Sequence, residues 1–416
     1  MKEEKRVSEL KPGSAVPSAP GSTGAVDAKL LAKLHELLPE IRARAIRGDQ
    51  EGGYPREDME LLARHGFMLL DVPEAWGGTE AKISTDIQVC RELATVNSST
   101  AQIFFVHSVG VRTITEIGNR EQQTRYFGEI RDRAARIGVA ASEPGTHVYD
   151  WKARFTPVSG GYRLNGAKHF CTGHEFADYI QVFAVVEGSA SLPEGVMLAM
   201  VPTNAKGVHA RGDWNAMGQR QTSSGSIDFT DVFIPERDVL GPPGAILSKS
   251  PSLFGLYYQV IFSAIYTGIA EGALAEALEY VRRQARPWPT SGVNAAVKDP
   301  YILQHVGEMS ASVQAAKTLL ERAGRMIESA ALGAISRGQA SVAVADAKVV
   351  STNAALLVTN LLFQICGARS SYRTFGFDRF WRNARTLTLH DPLDYKLREI
   401  GDYCLNGAEP PVGFYS

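Results

Sequence analysis

Two side chains near the end of the sequence, His390 and Asp391 in the string LHDP, are of a type that can handle protons. Imidazole titrates near neutrality and can donate a hydrogen bond at working pH; an aspartate before proline reads, by itself, as a turn-capping acid. Glu271 and Glu279 are longer carboxylates on a helical stretch. A second histidine, His107, follows the apolar run IFFV, where a packed imidazole is as natural as a reactive one. Arg286 in QARPW and Arg369 in GARSS carry guanidinium groups suited to a terminal phosphate, although an isolated arginine is more often a solvated charge. The four cysteines, Cys90, Cys171, Cys366 and Cys404, show neither CxxC nor zinc-like spacing. Metal binding and a disulfide framework are therefore not expected, and a reducing, cytoplasmic setting is.

These groups have to be positioned by a sizeable core. The chain has 416 residues, 44% of them hydrophobic, enough for two or three domains. A formal charge of -1, from 44 basic and 45 acidic residues, gives no global field for nucleic acid or an anionic membrane. No stretch offers about 18 uninterrupted apolar residues. Residues 1–27 are charged and then rich in Pro, Ser, Gly and Ala, without a secretory signal, and are expected to form a disordered tail. Residues 28–133 read as helical: Asp58, Leu61, Leu62, Arg64 and Phe67 show three-four spacing, and Gly66 is a helix stop. Between 134 and 241 the period switches to two in ARFTPV, GYRLNG, YIQVFAVV and GVMLAMVP, with turns at Ser159-Gly160-Gly161 and Asn165-Gly166, as in a small antiparallel barrel or sandwich. From 242 to 416 helices return. Gly268, Gly272 and Ala275 are placed on one stripe that invites close helix approach, Pro287, Pro289 and Pro300 bracket a loop, and further long helices are expected near 301–335 and 340–366. The fold class is α+β: a helical domain, a β-barrel domain and a four-helix bundle.

Several local strings at matching places resemble the acyl-CoA dehydrogenase superfamily: VPEAWGG, ASEPG, GYRLNGAKHFCTG and GFDRFWRNARTLTL. Within it, DWKARFTPVSGGYRLNGAKHFCTG, RQTSSGSIDF, QARPW, GFDRFWRN and LHDP resemble the reduced-flavin monooxygenase branch typified by dibenzothiophene monooxygenase. The resemblance covers residue 28 to the C-terminus. It implies FMN rather than FAD, delivered reduced by a separate NAD(P)H-dependent reductase, a homotetramer, and oxygen transfer from a flavin C(4a)-hydroperoxide to a small substrate.

The same resemblance assigns roles. His390 is implied to donate a hydrogen bond that keeps the peroxide protonated, and Thr172 to reach the flavin N(5) region; His107 aligns with a histidine of the branch. Arg286 and Arg369 are implied to clamp the FMN phosphate, from one subunit or two, beside Ala368. Ser142, Lys168, His169, Phe170 and Cys171 fall on the flavin-facing segments, and Trp214 and Phe254 match aromatic pocket positions. Departures are informative: Gln102 and Leu387 stand where histidines are expected, Val106 where tyrosine is, and Val139 where asparagine is. The pocket therefore differs from that of a dibenzothiophene enzyme. The expected substrate is an electron-rich sulfur, of dibenzothiophene, sulfone or sulfinate type; N-hydroxylation of an amine or amino sugar is the nearest variant. An FAD-dependent acyl-CoA dehydrogenase is the second reading, weakened because Asp391 replaces the longer glutamate base and Arg369 stands in the path of a dinucleotide. A catalytically silent flavin-binding or assembly protein is the third.

Overall fold

The computed structural model describes residues 25–145, 150–189, 194–248 and 252–416. Most of the segment expected to be a tail, 1–24, lies outside the described residues; the remainder is corrected, because the first helix already begins at Ala25.

Five helices open the chain: α1 (Ala25–Glu51), α2 (Arg56–Arg64), α3 (Ile83–Val96), α4 (Ser98–Ile117) and α5 (Arg120–Arg133). Their ends are set by local chemistry. Gly66, after α2, takes a φ of +83°, the left-handed turn that stops a helix and that glycine adopts without Cβ strain. Asn97 accepts hydrogen bonds from the Ser99 and Thr100 amides at the start of α4, and Asn119 forms a capping box with Gln122 at the start of α5.

Eight strands follow: β1 (Ile137–Ala140), β2 (Arg154–Val158), β3 (Gly161–Lys168), β4 (Tyr179–Val186), β5 (Val196–Pro202), β6 (Val208–Ala210), β7 (Ile227–Pro235) and β8 (Val239–Leu240). They form one sheet in the order β6-β7-β3-β2-β4-β5-β8, with β1 also on β4. The purely antiparallel expectation is corrected: β1 and β2 share an edge of β4, and both pair with it in parallel. β4 is buried on both faces. Ile180, Val182 and Ala184 belong to the sheet's own core, while Tyr179, Phe183 and Val185 pack into the helical core. The sheet is thus clamped to the helices by β4, which has β1 and β2 on one edge and its hairpin partner β5 on the other.

The last block holds α6 (Ala245–Ser248), the long helices α7 (Phe254–Arg283), α8 (Pro300–Ala331) and α9 (Arg337–Cys366), then α10 (Asp378–Leu387) and α11 (Leu393–Asn406). α7 and α9 are long and apolar enough to cross a membrane by length and composition, yet 78% and 56% of their apolar windows are buried within the fold. Gly268 and Gly272 do what the stripe predicts: a Cβ would lie 2.2 Å from the Arg91 carbonyl oxygen and 2.1 Å from that of Thr95, so α3 packs backbone to backbone on α7. Ala275 is corrected, because it is exposed.

Candidate active site

Two clusters carry the sequence-predicted residues. The first is built on the turn after β3. His169 donates its amide to the Ser142 carbonyl, and the Cys171 and Gly173 amides donate to Gly225 and Thr222, which lace residues 169–173 to 222–226. Phe170 is thereby held at a φ of +55°, unusual for a bulky residue, and is 56% exposed. The His169 ring packs against it at 4.2 Å, and Trp214 meets it edge-on at 6.1 Å, its indole nitrogen donating to the Gln219 carbonyl. The result is an uncovered aromatic face beside a buried hydroxyl, Thr172.

Thr172 is not an ordinary strand threonine. Its Oγ1 accepts from Gln102 Nε2 at 3.4 Å and pairs with Ser224 Oγ at 2.9 Å; Ser224 donates on to Thr222 Oγ1 at 2.8 Å. Gln102 Oε1 in turn accepts from Gln219 Nε2 at 2.9 Å. Gln219 Oε1 accepts from Ser98, and its backbone amide donates to Asn383 Oδ1 at 2.7 Å. The amide that replaces the expected histidine at 102 thus ties α4, the sheet domain and α10 together around the hydroxyl. Val139 joins this cluster through its amide, which donates to the Thr172 carbonyl. Val106 lies one turn beyond Gln102, buried.

The second cluster surrounds His390. Its ring lies 4.4 Å from Phe262 and 5.7 Å from Tyr415, and about a third of the side chain is exposed. The ring contacts continue from Phe262 to Phe105 (5.1 Å), Tyr258 (5.0 Å), Phe254 (4.9 Å) and Phe414 (6.3 Å), whose neighbour Tyr415 closes the circuit on His390. Phe105 and Gln102 are three residues apart on α4 and share a face, which links the two clusters. Leu387 is buried, and its carbonyl accepts from Tyr266 at 2.9 Å.

His390 Nδ1 bonds Asp391 Oδ1 at 2.9 Å, and the same oxygen accepts from Lys348 Nζ at 2.7 Å. Lys348 also donates to Gln259 Oε1 at 2.6 Å and lies over the Phe262 and Tyr266 rings. Burial alone would raise the Asp391 carboxyl, but the hydrogen bond from His390 and the charge of Lys348 hold it far below the usual range. Burial lowers His390, opposed by the bond to Asp391 and reinforced by Lys348. Neutral His390 therefore carries its proton on Nδ1, towards the carboxylate, and offers Nε2 as an acceptor. The expected donor role is available only once Nε2 has taken up a proton. Asp391 does not cap the next helix, whose first turn receives no side-chain bond from it; it is a buried counter-ion.

Other candidates are displaced. His107 is buried with both nitrogens engaged, Nε2 to the Met68 carbonyl at 2.9 Å and Nδ1 to the Ile137 amide at 3.3 Å, so it pins β1 to the preceding loop and has no site left for catalysis. Lys168 is fully buried, its Nζ on Glu143 at 2.8 Å and the Ala141 carbonyl at 2.9 Å. Cys171 points into the sheet core, where burial pushes its thiol up. Neither side chain can touch a cofactor; their backbones shape the turn. Glu271 pairs with Lys317 and Arg91, and Glu279 with Arg283 on the surface, which removes both as free bases. Ser142, Arg286, Ala368 and Arg369 are exposed. Among the described residues neither arginine has an ion pair or side-chain hydrogen bond, and the single chain does not bring them onto either cluster. A small cleft of about 10 Å³, lined by Asp49, Asn97, Gln221 and Arg379 among others, backs onto the Gln219 network but contains none of the predicted residues.

The description of the acyl-CoA dehydrogenase N-terminal domain matches residues 35–133, that of the middle domain 138–232, and that of the C-terminal domain 260–395. The chain belongs to the acyl-CoA dehydrogenase family. Among its members, the dibenzothiophene monooxygenase of Rhodococcus erythropolis is 40% identical over 403 residues, 94% of this chain and 97% of that protein. A probable FMNH2-dependent monooxygenase of Pseudomonas putida is 33% identical over 391 residues, 93% and 97% of the two chains. The FMN-bound dibenzothiophene monooxygenase of Paenibacillus sp. A11-2 superposes with a TM-score of 0.88 at 35% identity, covering 93% of this chain and all of that one. The chain is a family member of the reduced-flavin monooxygenase kind, as its motifs implied.

Lys348, Gln219, Ser224 and Asn383 escaped the sequence reading. A lysine inside the apolar run of α9 is the available signal for the first; the others are single polar residues whose bonds to Thr172, Gln102 and one another span many residues.

Proposed function

We propose that this chain is an FMNH2-dependent monooxygenase that oxygenates the sulfur of a small organosulfur compound. The observation that carries it is the fate of the acid: Asp391, standing where a dehydrogenase of the fold needs a free base, is consumed by Lys348 and His390. A carboxylate whose proton affinity is lowered by these two partners is a poor base for a substrate α-proton.

The residues fit a flavin mononucleotide. Phe170 and Trp214 offer an uncovered apolar surface to a planar ring, Thr172 a hydroxyl beside it, and Arg286 and Arg369 two unpaired guanidinium groups for a phosphate. Reduced FMN supplies the electron pair that activates dioxygen, with one oxygen atom passing to the substrate and the other leaving as water. The aromatic circuit around His390 gives an apolar substrate a surface to lie on, and a substrate seated there would shield the imidazole from water. His390 Nε2 takes a proton at that surface and returns it, while Asp391 holds the opposite nitrogen. Val106, Val139 and Leu387 are apolar and non-ionic, which suits a neutral sulfur atom better than an ammonium group and favours sulfur over amine substrates.

A separate NAD(P)H-dependent reductase would furnish the reduced flavin, and a homotetramer would let Arg286 or Arg369 of one subunit reach the site of another. Exposed Tyr301, Leu303, Trp381, Tyr395 and Leu397 on α8, α10 and α11 supply apolar area for such packing. Light scattering of the purified chain tests the tetramer. Oxygen uptake that requires added reduced FMN together with a sulfide, sulfoxide or sulfinate tests the activity.

A further inference from the structure

Lys348 lies within α9, 2% exposed, and carries a charge beside the Phe262 and Tyr266 rings of the core. Its ammonium meets one anion, Asp391, and one amide oxygen, Gln259. Gln259 has a buried Nε2 with no partner, so the amide is held here for its oxygen. Asp391 uses one oxygen, Oδ1, for both Lys348 and His390. The three side chains form a line, cation to anion to imidazole, that ends at the surface facing Phe262 and Tyr415.

We propose that Lys348 is a positioning residue for His390: by matching the charge of Asp391 it fixes the neutral, Nδ1-protonated imidazole and leaves Nε2 as the proton acceptor of the site. The argument is one of net charge in a poorly solvated place. With Lys348, the trio is neutral when His390 is neutral, and a proton on Nε2 makes it cationic. Without Lys348, Asp391 stands alone, and an imidazolium becomes the form that neutralises it. Lys348 thus converts an Asp-His pair that would keep its proton into one that releases it. Of the other groups near His390, Lys396 also disfavours its protonation, but less than Lys348 does. Lys396 on α11 is committed to Glu399 at 2.9 Å and to the Tyr415 carbonyl, Tyr266 on α7 donates to Leu387, and Phe262 is apolar. Tyr415 contributes a ring contact.

The inference rests on His390 as the reactive imidazole of the proposed function, but its test does not need turnover. Diethyl pyrocarbonate acylates neutral imidazole, and peptide mass spectrometry reads the pH midpoint of modification at His390 in the full-length protein, with and without FMN. In Lys348→Met the midpoint is expected to move up by about one to two pH units, and in Lys348→Arg to return close to that of the unaltered protein. The acidic limb of the kcat profile should move with it. A Lys348→Met midpoint equal to that of the unaltered chain overturns the proposal. If Lys348→Met does not fold, Lys348→Gln and the unaltered chain decide: a midpoint in the unaltered protein above that of free histidine also overturns it. A protein that shows the expected midpoints yet oxygenates no sulfur compound leaves this inference standing and refutes the proposed function.

Discussion

Replacing Asp391 with asparagine keeps the shape of the site and removes one charge, so its cost can be worked out from the structure. Lys348 is 2.7 Å from the carboxylate and 2% exposed. At an effective dielectric of about 20, the lost attraction at that distance is about 6 kcal/mol. The lysine has an escape, however, because it can give up its proton. From the reference value of 10.5 that costs about 5 kcal/mol at pH 7, which caps the loss and agrees with the roughly 3–5 kcal/mol seen when one partner of a buried pair is removed. Burial already lowers Lys348, with Asp391 holding it up. In Asp391→Asn the folded chain binds one proton fewer than the unfolded chain over the neutral to alkaline range, so the variant gains stability as pH rises, by about 1.4 kcal/mol per unit. Urea denaturation of both proteins at pH 7, 8 and 9 should therefore show a gap of a few kcal/mol that narrows with pH. A gap that stays constant, or one below about 1 kcal/mol at pH 7, refutes the placement of a charged Lys348 against Asp391.

Three further outcomes follow from separate parts of the molecule. His390→Ala should raise hydrogen peroxide released per FMNH2 consumed, measured by a peroxidase assay; unchanged coupling would remove the imidazole from its role. Arg369→Ala and Arg286→Ala should each weaken FMN binding by about 10- to 100-fold, read by flavin fluorescence, with no change in melting temperature because neither guanidinium has a partner among the described residues; retained affinity in both sinks the phosphate assignment. Gly272→Ala puts a methyl group 2.1 Å from the Thr95 carbonyl oxygen and should destabilise by about 1–3 kcal/mol in urea denaturation; a neutral result would mean α3 and α7 do not touch.

Periodicity made the three-block order legible because helix and strand patterns are local. Gly66 and Gly268 spoke for themselves, since their backbone demands are fixed by residue type. The parallel pairing of β1 and β2 with β4 was not legible, because alternation along a strand says which faces are buried and nothing about the neighbour's direction. The same limit governed the site. His390 and Asp391 are adjacent in sequence and were both marked, but the lysine that decides their proton lies 43 residues away, on another helix. His107 was marked by its type and neighbours; only the Met68 carbonyl and the Ile137 amide show that it is saturated. Gln102 was noticed as a departure from the expected histidine, and the fold shows what the departure builds, a bridge from Gln219 to Thr172.

What the purified chain does with reduced flavin is the most direct test of sulfur oxygenation. Supplied with chemically reduced FMN and oxygen, and offered sulfides, sulfoxides, sulfinates and thiophenes, it should give a product heavier by one or two oxygen atoms in mass spectrometry. A protein that instead retains FAD through purification and desaturates an acyl-CoA thioester with a dye and no oxygen would contradict it.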